Sequence, residues 1–477
     1  MIALTLAEVA ALTGGTLHPA TAGAVVVSGP ATIDSRQAVA GGLFVALVGE
    51  RTDGHLFVPQ AQAGGAVAVL GTRPTELPTV VVADPTIALG ALATELLLRL
   101  PRVRTHAMTG SQGKTGTKDY LAAILSAAGP TVATQGNFNN ELGVPLTVLR
   151  AEASTRFLIT EMGARGLGHI RYLASVARPD VAAVLNVGTA HVGEFGSQAA
   201  IAQAKGELVE ALSPEGVAVL NADDPLTLAM RARTTARVVT FGAAGEIGWR
   251  NLAMDEGGRP TFELRYAEEW HPLRLDQIGA HQVANAAAAA AMASAEEIDA
   301  AVVLDALATA RPASRWRMER HDRADGLVVI NDAYNANPAS MAAALESLAA
   351  IGRATGRPTV AVLGEMRELG EGAAFEHRAI GELADRLGIG TVVTTGGLSA
   401  EITAAVKNAT PIPMPSRDEA IVWVRQNVAA TDVVLVKASR GVALEHLVAA
   451  LLDPESSPDR SAPGESDGDR PQAEGAP

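Results

Sequence analysis

The chain of 477 residues contains no cysteine. This absence excludes disulfide bonds, zinc sites built on thiolates and a thiol nucleophile, and it is compatible with a cytoplasmic enzyme. Positive charge is also scarce, because 38 Lys and Arg residues stand against 52 Asp and Glu residues, for a net charge of −14. A protein that binds nucleic acid or a membrane surface by neutralising phosphates needs the opposite sign, so we expect neither partner. Any phosphate that the chain binds must therefore be neutralised by positive groups at its own binding site.

No long hydrophobic run is present either. The alanine-rich run at 286–295 is closed by Glu296 and is well short of the roughly 20 apolar residues that a membrane span needs. The first 15 residues lack the basic start of a signal peptide and carry Glu8 inside the apolar stretch. We therefore expect a short amphipathic helix at the N-terminus, an alanine helix packed on protein, and a soluble chain.

The length exceeds the roughly 250 to 300 residues at which a single hydrophobic core stops growing. Strand patterns followed by helical patterns recur in three units, which predicts an α/β protein of three domains. We place them at 1–101, at 102–312 with a mostly parallel sheet, and at 313–453 as a smaller, doubly wound, Rossmann-like domain. Residues 454–477 lack aromatic and branched aliphatic side chains, so we expect a disordered tail.

The predicted strands are Val25–Val27, Leu43–Val48, Val67–Leu70 and Val80–Ala83 in the first domain, Arg104–Met108, Phe157–Thr160, Val181–Val187 and Val217–Leu220 in the second, and Leu327–Ile330, Thr359–Leu363, Thr391–Thr394 and Val433–Val436 in the third.

A glycine-rich segment, Gly110 to Thr115, stands between a predicted strand and a predicted helix. In such a turn, backbone N–H groups converge on an anion, a lysine reaches the outer phosphates and a hydroxyl binds Mg²⁺. Gly113, Lys114 and Thr115 fit these roles, although Met108 stands where the full pattern has its first glycine. An ordinary glycine turn is the alternative, but the flanking elements favour an ATP-binding loop.

Two further polar residues follow strands of the same predicted sheet. Glu161 comes directly after Phe157–Thr160, and His191 follows Val181–Val187 by one short turn. Each alone is an ordinary turn residue. At the sheet edge that carries a phosphate loop, both become candidate Mg²⁺ ligands.

Lys205 lies on the apolar stripe of a predicted helix, between Ile201 and Leu208. A lysine there either extends its ammonium to water or is used chemically. A desolvated, neutral amine could add CO2 and form a carbamate, which is an anion able to coordinate Mg²⁺.

Two polar segments can each be interpreted in two ways. Asn137, Asn139 and Asn140 form either a capped turn or a loop that contacts substrate. The segment 331–338 offers the Asp332 carboxylate for a ribose and amides for a base, or it is only a turn before a helix capped near Ser340.

Taken in order, these segments resemble the Mur ligase family of bacterial cell-wall enzymes. The matching stretches cover the chain from about 33 to 446 and are 34–36, 53–55, 109–115, 136–146, 161–165, 186–191, 204–205, 221–224, 331–340, 363–366 and 437–441.

The resemblance implies a role for each domain: the first binds the UDP end of a substrate, the second is an ATPase, and the third closes over nucleotide and dipeptide. The implied ATP-binding residues are Gly110, Ser111, Gln112, Gly113, Lys114, Thr115, Gly116, Asn285, Arg317, Asp332 and Asn335. The implied substrate-binding residues are Ser35, Arg36, Asn139, Asn140, Arg165, Lys437, Ser439 and Arg440. The implied metal ligands are Thr115, Glu161, His191 and a carbamylated Lys205, and the implied catalytic residues are Lys114, Glu161, His191 and Lys205.

The activity implied is ATP- and Mg²⁺-dependent amide formation through an acyl phosphate, in cytoplasmic peptidoglycan synthesis and thus in cell shape and division. The segments 334–338 and 364–366 favour UDP-N-acetylmuramoyl-tripeptide and D-alanyl-D-alanine as substrates, and we expect a monomer. This sequence departs from the family pattern at Gly116, where a small hydroxyl residue is usual, and at Ala438, where glycine is usual. The alternatives are a related ligase with another amino acid, folate or polypeptide substrate, and a binding module switched by nucleotide.

Overall fold

The computed structural model describes residues 1–50, 52–188 and 195–453. It has three successive α/β units, each built on its own main sheet, which confirms the predicted three-domain α/β architecture. The exact domain boundaries remain a prediction, and the predicted disordered tail lies outside the described residues. Within those residues, every helix is too short or too polar to cross a membrane.

The first unit contains seven short strands. They are β1 (Leu4–Thr5), β2 (Thr16–His18), β3 (Val26–Val27), β4 (Ala31–Thr32), β5 (Gly42–Val45), β6 (Ala66–Gly71) and β7 (Thr79–Val81). The main sheet has the order β2-β7-β6-β5-β4 and is parallel except at β2, while β1 pairs with β3. The predicted N-terminal helix is confirmed at Leu6–Thr13, where Thr5 and Glu8 form a capping box. The other helices are Val58–Ala63 and Pro85–Leu98.

The helix Pro85–Leu98 joins the first unit to the second. It packs against the helix Leu6–Thr13 on one side and against Gly143–Val148 and His169–Ala177 of the second unit on the other. At Gly90 a Cβ atom would lie 2.3 Å from the Tyr172 hydroxyl, so only glycine allows this approach. The two units therefore share one hydrophobic core.

The second unit is built on a six-stranded, fully parallel sheet. Its strands are β8 (Arg104–Thr109), β9 (Thr131–Ala133), β10 (Phe157–Glu161), β11 (Val181–Val184), β12 (Val217–Asn221) and β13 (Arg237–Phe241), in the order β13-β12-β11-β8-β10-β9. Its helices are Lys114–Ala128, Gly143–Val148, His169–Ala177, Gln198–Glu210, Pro225–Leu228, His281–Ala293 and Ala300–Thr309. Because every strand is parallel, all the carboxyl ends meet at one edge.

Two predictions for this unit have clear outcomes. The alanine run forms the buried helix His281–Ala293, which packs on Lys114–Ala128 as expected of a helix covered by protein. The predicted strand Val181–Val187 is wrong beyond Val184. The Asp224 carboxylate accepts the Val187 N–H at 2.7 Å and the Asn221 amide donates to the Leu185 carbonyl at 2.9 Å, so side chains occupy two of the backbone groups that would extend the strand.

A three-stranded antiparallel sheet was not predicted. Its strands are β14 (Trp249–Met254), β15 (Pro260–Tyr266) and β16 (Glu269–Arg274). In β15, Phe262, Leu264 and Tyr266 are buried and alternate with more exposed residues. This alternation with period two is the signal that would have revealed the sheet.

The third unit is built on a second six-stranded sheet. Its strands are β17 (Glu319–Asp322), β18 (Val328–Asp332), β19 (Thr359–Gly364), β20 (Thr391–Thr395), β21 (Thr410–Met414) and β22 (Val433–Lys437), in the order β17-β18-β22-β19-β20-β21, with only β17 antiparallel. Its helices are Pro338–Thr355, Ala373–Leu387, Ala400–Ala405, Arg417–Asn427 and Glu445–Leu452. The cap of the first of these is Asn337 rather than Ser340, which instead completes the capping box from inside the helix.

Candidate active site

The carboxyl edge of the central sheet and the third unit line one cavity of about 910 Å³. This size falls within the roughly 300 to 1,000 Å³ that is usual for small-molecule sites. Most of the predicted site residues line it: Gly110, Ser111, Gln112, Gly113, Lys114, Thr115, Gly116, Asn139, Asn140, Glu161, Arg165, Lys205, Asn285, Arg317, Asp332, Asn335, Lys437 and Arg440. Residues that are up to 330 positions apart in the sequence are thus brought to one place.

The glycine-rich loop has the geometry of an anion site. Gly113 adopts a left-handed backbone with φ of 81° and precedes the first residue of the helix Lys114–Ala128. Asn186 braces the loop, because its carbonyl accepts the Ser111 N–H at 3.2 Å and its side chain accepts the Gln112 N–H at 3.0 Å. The Lys114 ammonium donates to the Gly110 carbonyl at 2.7 Å and so lies over the loop. Helix N-terminus and ammonium together attract an anion.

Lys205 is buried in the same cavity, on the face of the helix Gln198–Glu210 that also buries Ile201 and Leu208. Its residue exposure of 6% rules out an ammonium extended into bulk water. Burial, and after it the charge of Lys114, hold the pKa of Lys205 well below its usual value. Burial likewise lowers the pKa of Lys114. Burial thus disfavours the charged form of both lysines, and an anion bound beside them would favour it.

Glu161 ends β10 and is 2% exposed. The Thr115 hydroxyl donates to one carboxylate oxygen at 2.9 Å and the Asn139 amide donates to the other at 2.8 Å. Both donors are neutral, so neither balances the negative charge of the carboxylate. Hydroxyl and carboxylate oxygens are the ligands that Mg²⁺ prefers, and Thr115 with Glu161 fits such an ion.

A metal ion bound by Thr115 and Glu161 would need further ligands. Over the described residues 1–50, 52–188 and 195–453, no group of three His, Asp or Glu side chains converges to hold an ion. The predicted ligand His191 lies outside the described residues. Mg²⁺ commonly completes its shell with water and substrate phosphates, so a site with few protein ligands is compatible with this ion.

The asparagine cluster is divided between a turn and the cavity lining. Asn140 accepts the backbone N–H groups of Gly143 and Leu142, at 2.9 and 3.3 Å, and so caps a turn. Asn139 instead binds Glu161 and lines the cavity.

Asn285 lies against the first turn of the helix Lys114–Ala128, where Gly113 and Gly116 make room for it. A Cβ atom at Gly113 would lie 2.6 Å from the Asn285 side-chain oxygen, and one at Gly116 would lie 2.7 Å from its nitrogen. Asn285 also donates to Gln282 at 3.0 Å. The unusual Gly116 therefore fits the side-chain position of Asn285 in this chain.

The third unit contributes a wall that contains a buried ion pair. Lys437, 2% exposed, donates to the Asp332 carboxylate at 2.6 Å and to the Asn335 carbonyl at 2.8 Å. The Met318 N–H donates to the other oxygen of Asp332 at 3.2 Å. Lys437 thus lines the cavity, but its ammonium is engaged within the protein.

Two arginines complete this wall by stacking on aromatic rings. Arg317 lies over the ring of Tyr334 at 4.1 Å, and Arg440 lies over the ring of Trp316 at 4.4 Å. Arg440 is also paired with Glu445. Stacking fixes the planes of both guanidinium groups at the cavity edge.

Three predicted residues are placed elsewhere. The Ser35 hydroxyl donates to the Gln60 side chain at 2.7 Å, and Arg36 pairs with Asp34 at 2.7 Å. Neither residue lines the cavity, and both lie at a separate place in the first unit. Ser439 lines a smaller, neighbouring cavity.

Comparison with known proteins identifies the family. Sequence models described as the Mur ligase family catalytic domain, the Mur ligase middle domain and the Mur ligase glutamate ligase domain match residues 31–110, 108–293 and 316–440. The chain belongs to the Mur ligase family.

Relatives of this Mur ligase are similar over nearly the whole chain. The UDP-N-acetylmuramoyl-tripeptide--D-alanyl-D-alanine ligase of Mycobacterium tuberculosis (strain H37Rv) is 42% identical, over 95% of this chain and 98% of the relative. The enzyme of the same name from Escherichia coli K12 is 35% identical, over 95% and 99%.

Solved structures agree with this assignment. A crystal structure of MurF from Acinetobacter baumannii superimposes with a TM-score of 0.85 at 31% identity, over 94% of this chain and 99% of that one. The MurF ligase of Thermotoga maritima, solved in complex with ADP, has a TM-score of 0.76 at 27% identity, over 89% and 97%.

Sequence reasoning missed part of the cavity of this Mur ligase. The buried Gln277 and Gln282 and the half-buried His281 line it. Within the described structure, Nδ1 of His281 and Nε2 of Gln277 have no hydrogen-bond partner, which marks them as groups that a ligand can satisfy. Burial lowers the pKa of His281, which favours a neutral ring. The polar residues just before the alanine run were the available signal.

Proposed function

We propose that this chain is an ATP-dependent ligase that joins D-alanyl-D-alanine to UDP-N-acetylmuramoyl-tripeptide in peptidoglycan precursor synthesis. The names of the Mycobacterium and Escherichia relatives support the substrates, and the ADP complex of the Thermotoga structure supports the nucleotide. The observation that carries the proposal is that Lys114, Glu161 and Lys205 of the central sheet share one cavity with Arg317 and Asp332 of the third unit.

The chemistry required is charge neutralisation, because a carboxylate must approach the ATP polyanion. Lys114 and the backbone N–H groups of its loop hold the outer phosphates. The terminal carboxylate of the tripeptide attacks the γ-phosphorus, the bond to the β-phosphate oxygen breaks, and ADP leaves. The dipeptide amine then bonds to the carbonyl carbon of the acyl phosphate, loses a proton to solvent, and expels inorganic phosphate.

The proposal assigns four residues to Mg²⁺. Thr115 and Glu161 would hold it, with His191 and a carbamylated Lys205 as further ligands, and the ion would supply positive charge to the phosphates during transfer. The lowered pKa of Lys205 supports carbamate formation, because only the neutral amine adds CO2. The carbamate would also place an anion near the Lys114 ammonium.

The nucleotide site is divided between two units. Asn285, on the central unit, faces Arg317, Asp332 and Asn335 from the third, while Arg165, Asn139 and Asn140 stand on the substrate side. We propose that closure of the third unit completes the site and excludes water from the acyl phosphate. Ser35 and Arg36 would contact the diphosphate of the UDP substrate, in a monomeric, cytoplasmic enzyme.

The test is ADP release by the purified chain with ATP, Mg²⁺, UDP-muramoyl peptides and a panel of amines. We expect turnover to need both the tripeptide and D-alanyl-D-alanine. Lys114→Met should lower turnover by about 100- to 1,000-fold, as expected for loss of one electrostatic contact. Lys407→Met, outside the cavity lining, is the matched control and should leave turnover unchanged.

Two other outcomes would reject the proposal. Stimulation by a different amino acid, or with a folate substrate, would identify another ligase of the family. ATP turnover that is independent of every amine would identify a nucleotide-switched binding module.

A further inference from the structure

A buried carboxylate follows Lys205 by two positions and takes no part in the proposed chemistry. Glu207 belongs to the same helix, Gln198–Glu210, and is 2% exposed. Side chains two positions apart on a helix point in different directions, so Lys205 lines the cavity and Glu207 does not. A buried carboxylate is costly unless hydrogen bonds compensate for its lost hydration, so the partners of Glu207 indicate what it does.

Both oxygens of Glu207 accept backbone N–H groups from the start of the neighbouring helix, His169–Ala177. The Gly168 N–H donates to one oxygen at 2.7 Å and the Arg171 N–H donates to the other at 3.0 Å. Gly168, the residue before the first turn, has no side chain that could cap the helix. The first N–H groups of a helix lack intrahelical partners and carry partial positive charge. Glu207 therefore caps this helix from another element.

The capped end of the helix faces the active-site cavity. Gly168 and His169 line the cavity, and so does Arg165 in the loop before them. The Arg165 N–H donates to Nδ1 of His169 at 3.4 Å, which joins the loop to the first turn of the helix. At the other end of the loop, the Gly163 N–H donates to the Asn139 carbonyl at 2.8 Å. The place of Arg165 thus depends on where this helix begins.

The helix His169–Ala177 also reaches the first unit. It packs against Gln198–Glu210 and against Pro85–Leu98 of the first unit. Its Tyr172 hydroxyl lies against Gly90, where no side chain fits. A displacement of the helix would therefore move Arg165 and the contact with the first unit together. Glu207 connects both of them, by hydrogen bonds, to the helix that carries Lys205.

We propose that Glu207 is a positioning residue for the UDP-muramoyl peptide substrate. Its carboxylate holds Arg165, and the helix that contacts the first unit, at a fixed place relative to Lys205. The peptide end of the substrate is thereby directed toward the phosphate site. This inference rests on the proposed function, since it concerns the placement of a substrate of that reaction, and Glu207 acts through Arg165 without touching the substrate.

The test measures ADP release by the full chain while the UDP-muramoyl tripeptide, ATP and D-alanyl-D-alanine are varied in turn. In Glu207→Gln an NH2 group replaces one acceptor oxygen, so one of the two backbone N–H groups loses its bond. KM for the tripeptide substrate should rise about tenfold, the lower end of the loss expected for one hydrogen bond to a charged group. KM for ATP and KM for the dipeptide should stay constant.

A double variant distinguishes positioning from a general structural effect. Arg165→Met should by itself raise KM for the tripeptide substrate. If Glu207 acts through Arg165, adding Glu207→Gln to Arg165→Met should raise this KM little further. Two independent contributions would instead multiply, because the free-energy costs of uncoupled substitutions add.

Two further variants serve as controls. Glu207→Asp keeps the charge on a shorter side chain and should recover part of the lost affinity. It also carries the test if Glu207→Gln does not fold. Glu210→Gln changes a glutamate of the same helix that is exposed and pairs with Arg233 at 2.7 Å, and it should leave all three KM values unchanged.

Three outcomes would overturn the inference. These are an unchanged KM for the tripeptide substrate in Glu207→Gln, an equal rise in all three KM values, and a multiplied effect in the double variant. In each case the wild type still turns over and the proposed function stands. If the wild type releases ADP without any dependence on the tripeptide substrate, the proposed function itself fails, and the role of Glu207 fails with it.

Discussion

The buried lysines on the two walls of the active-site cavity have different charged neighbours. On the central wall, burial lowers the pKa of both Lys114 and Lys205, and the charge of Lys114 lowers the pKa of Lys205 further. On the wall of the third unit, Lys437 lies 2.6 Å from Asp332 and is neutralised inside the protein.

The difference indicates a division of roles. On the central wall, the Lys114 ammonium lies over the phosphate loop and Lys205 is buried near it, so we expect phosphates and a carbamate to complete the electrostatics of this wall. On the opposite wall, Lys437 is paired with Asp332 before any ligand arrives, so this ion pair serves to hold Asp332 and the neighbouring loop in place. Substitutions of Lys114 and Lys205 should therefore damage catalysis, and substitution of Lys437 should mainly damage stability.

The largest effect is expected at Lys205. Lys205→Ala should reduce ligation by on the order of 1,000-fold, because the anion formed on Lys205 is lost from the phosphate site. Added short carboxylic acids such as acetate should partly restore ADP release by occupying the vacated space. Lys407→Ala is the control. If Lys205→Ala retains wild-type turnover, Lys205 does not act as a carbamate. The proposed difference between the two walls is then wrong as well.

A smaller effect, on stability, is expected at Lys437. Lys437→Met leaves the Asp332 carboxylate buried without its partner and should cost about 3 to 5 kcal/mol of unfolding free energy. The double variant Lys437→Met/Asp332→Asn removes both charges and should cost clearly less than the sum of the single variants. Urea unfolding of the full chain measures all three. Additive costs would show that the pair is not the source of stability.

The smallest effect is expected at Gly116. Gly116→Ser introduces a Cβ atom at 2.7 Å from the Asn285 amide, which is the end of a flexible side chain and can turn away. The loss of the hydrogen bond between Asn285 and Gln282 should cost about 0.5 to 1.5 kcal/mol of ATP-binding free energy. This loss raises KM for ATP by up to about tenfold. Gly372→Ser, where a Cβ atom meets open space, should change nothing. A larger loss would show that Asn285 is rigidly positioned.

The inner strands of the parallel sheets were predictable because they are buried on both faces and appear as continuous apolar runs. The edge strands β9, β13 and β21 were not predicted, since they are less buried and more polar. The antiparallel strands β14 to β16 were missed, since only β15 alternates clearly between buried and more exposed residues. The predicted end of Val181–Val187 was wrong because Asp224 and Asn221, distant in sequence, take over the backbone groups that would continue the strand.

The candidate site was predictable where its chemistry lies in one short segment. The loop Gly110 to Thr115 and the strand end at Glu161 carry local signals of glycine, hydroxyl and carboxylate. For Gln277 and His281 the only sequence signal was a group of polar residues just before the alanine run, because their place in the cavity depends on partners brought from other elements. The assignment of roles to Asn285, Arg317 and Asp332 came from the family resemblance and stays a prediction for each residue.

By itself, the sequence determined the α/β class, the phosphate loop and the unusual lysine on an apolar stripe, since each depends on spacing over a few turns of chain. Only the tertiary structure decided which charges meet. It paired Lys437 with Asp332 across 105 residues, left Lys205 beside Lys114, and brought the third unit and the carboxyl edge of the central sheet together around one cavity. Electrostatic energy depends on distance in space and on burial, and neither is encoded by position along the chain.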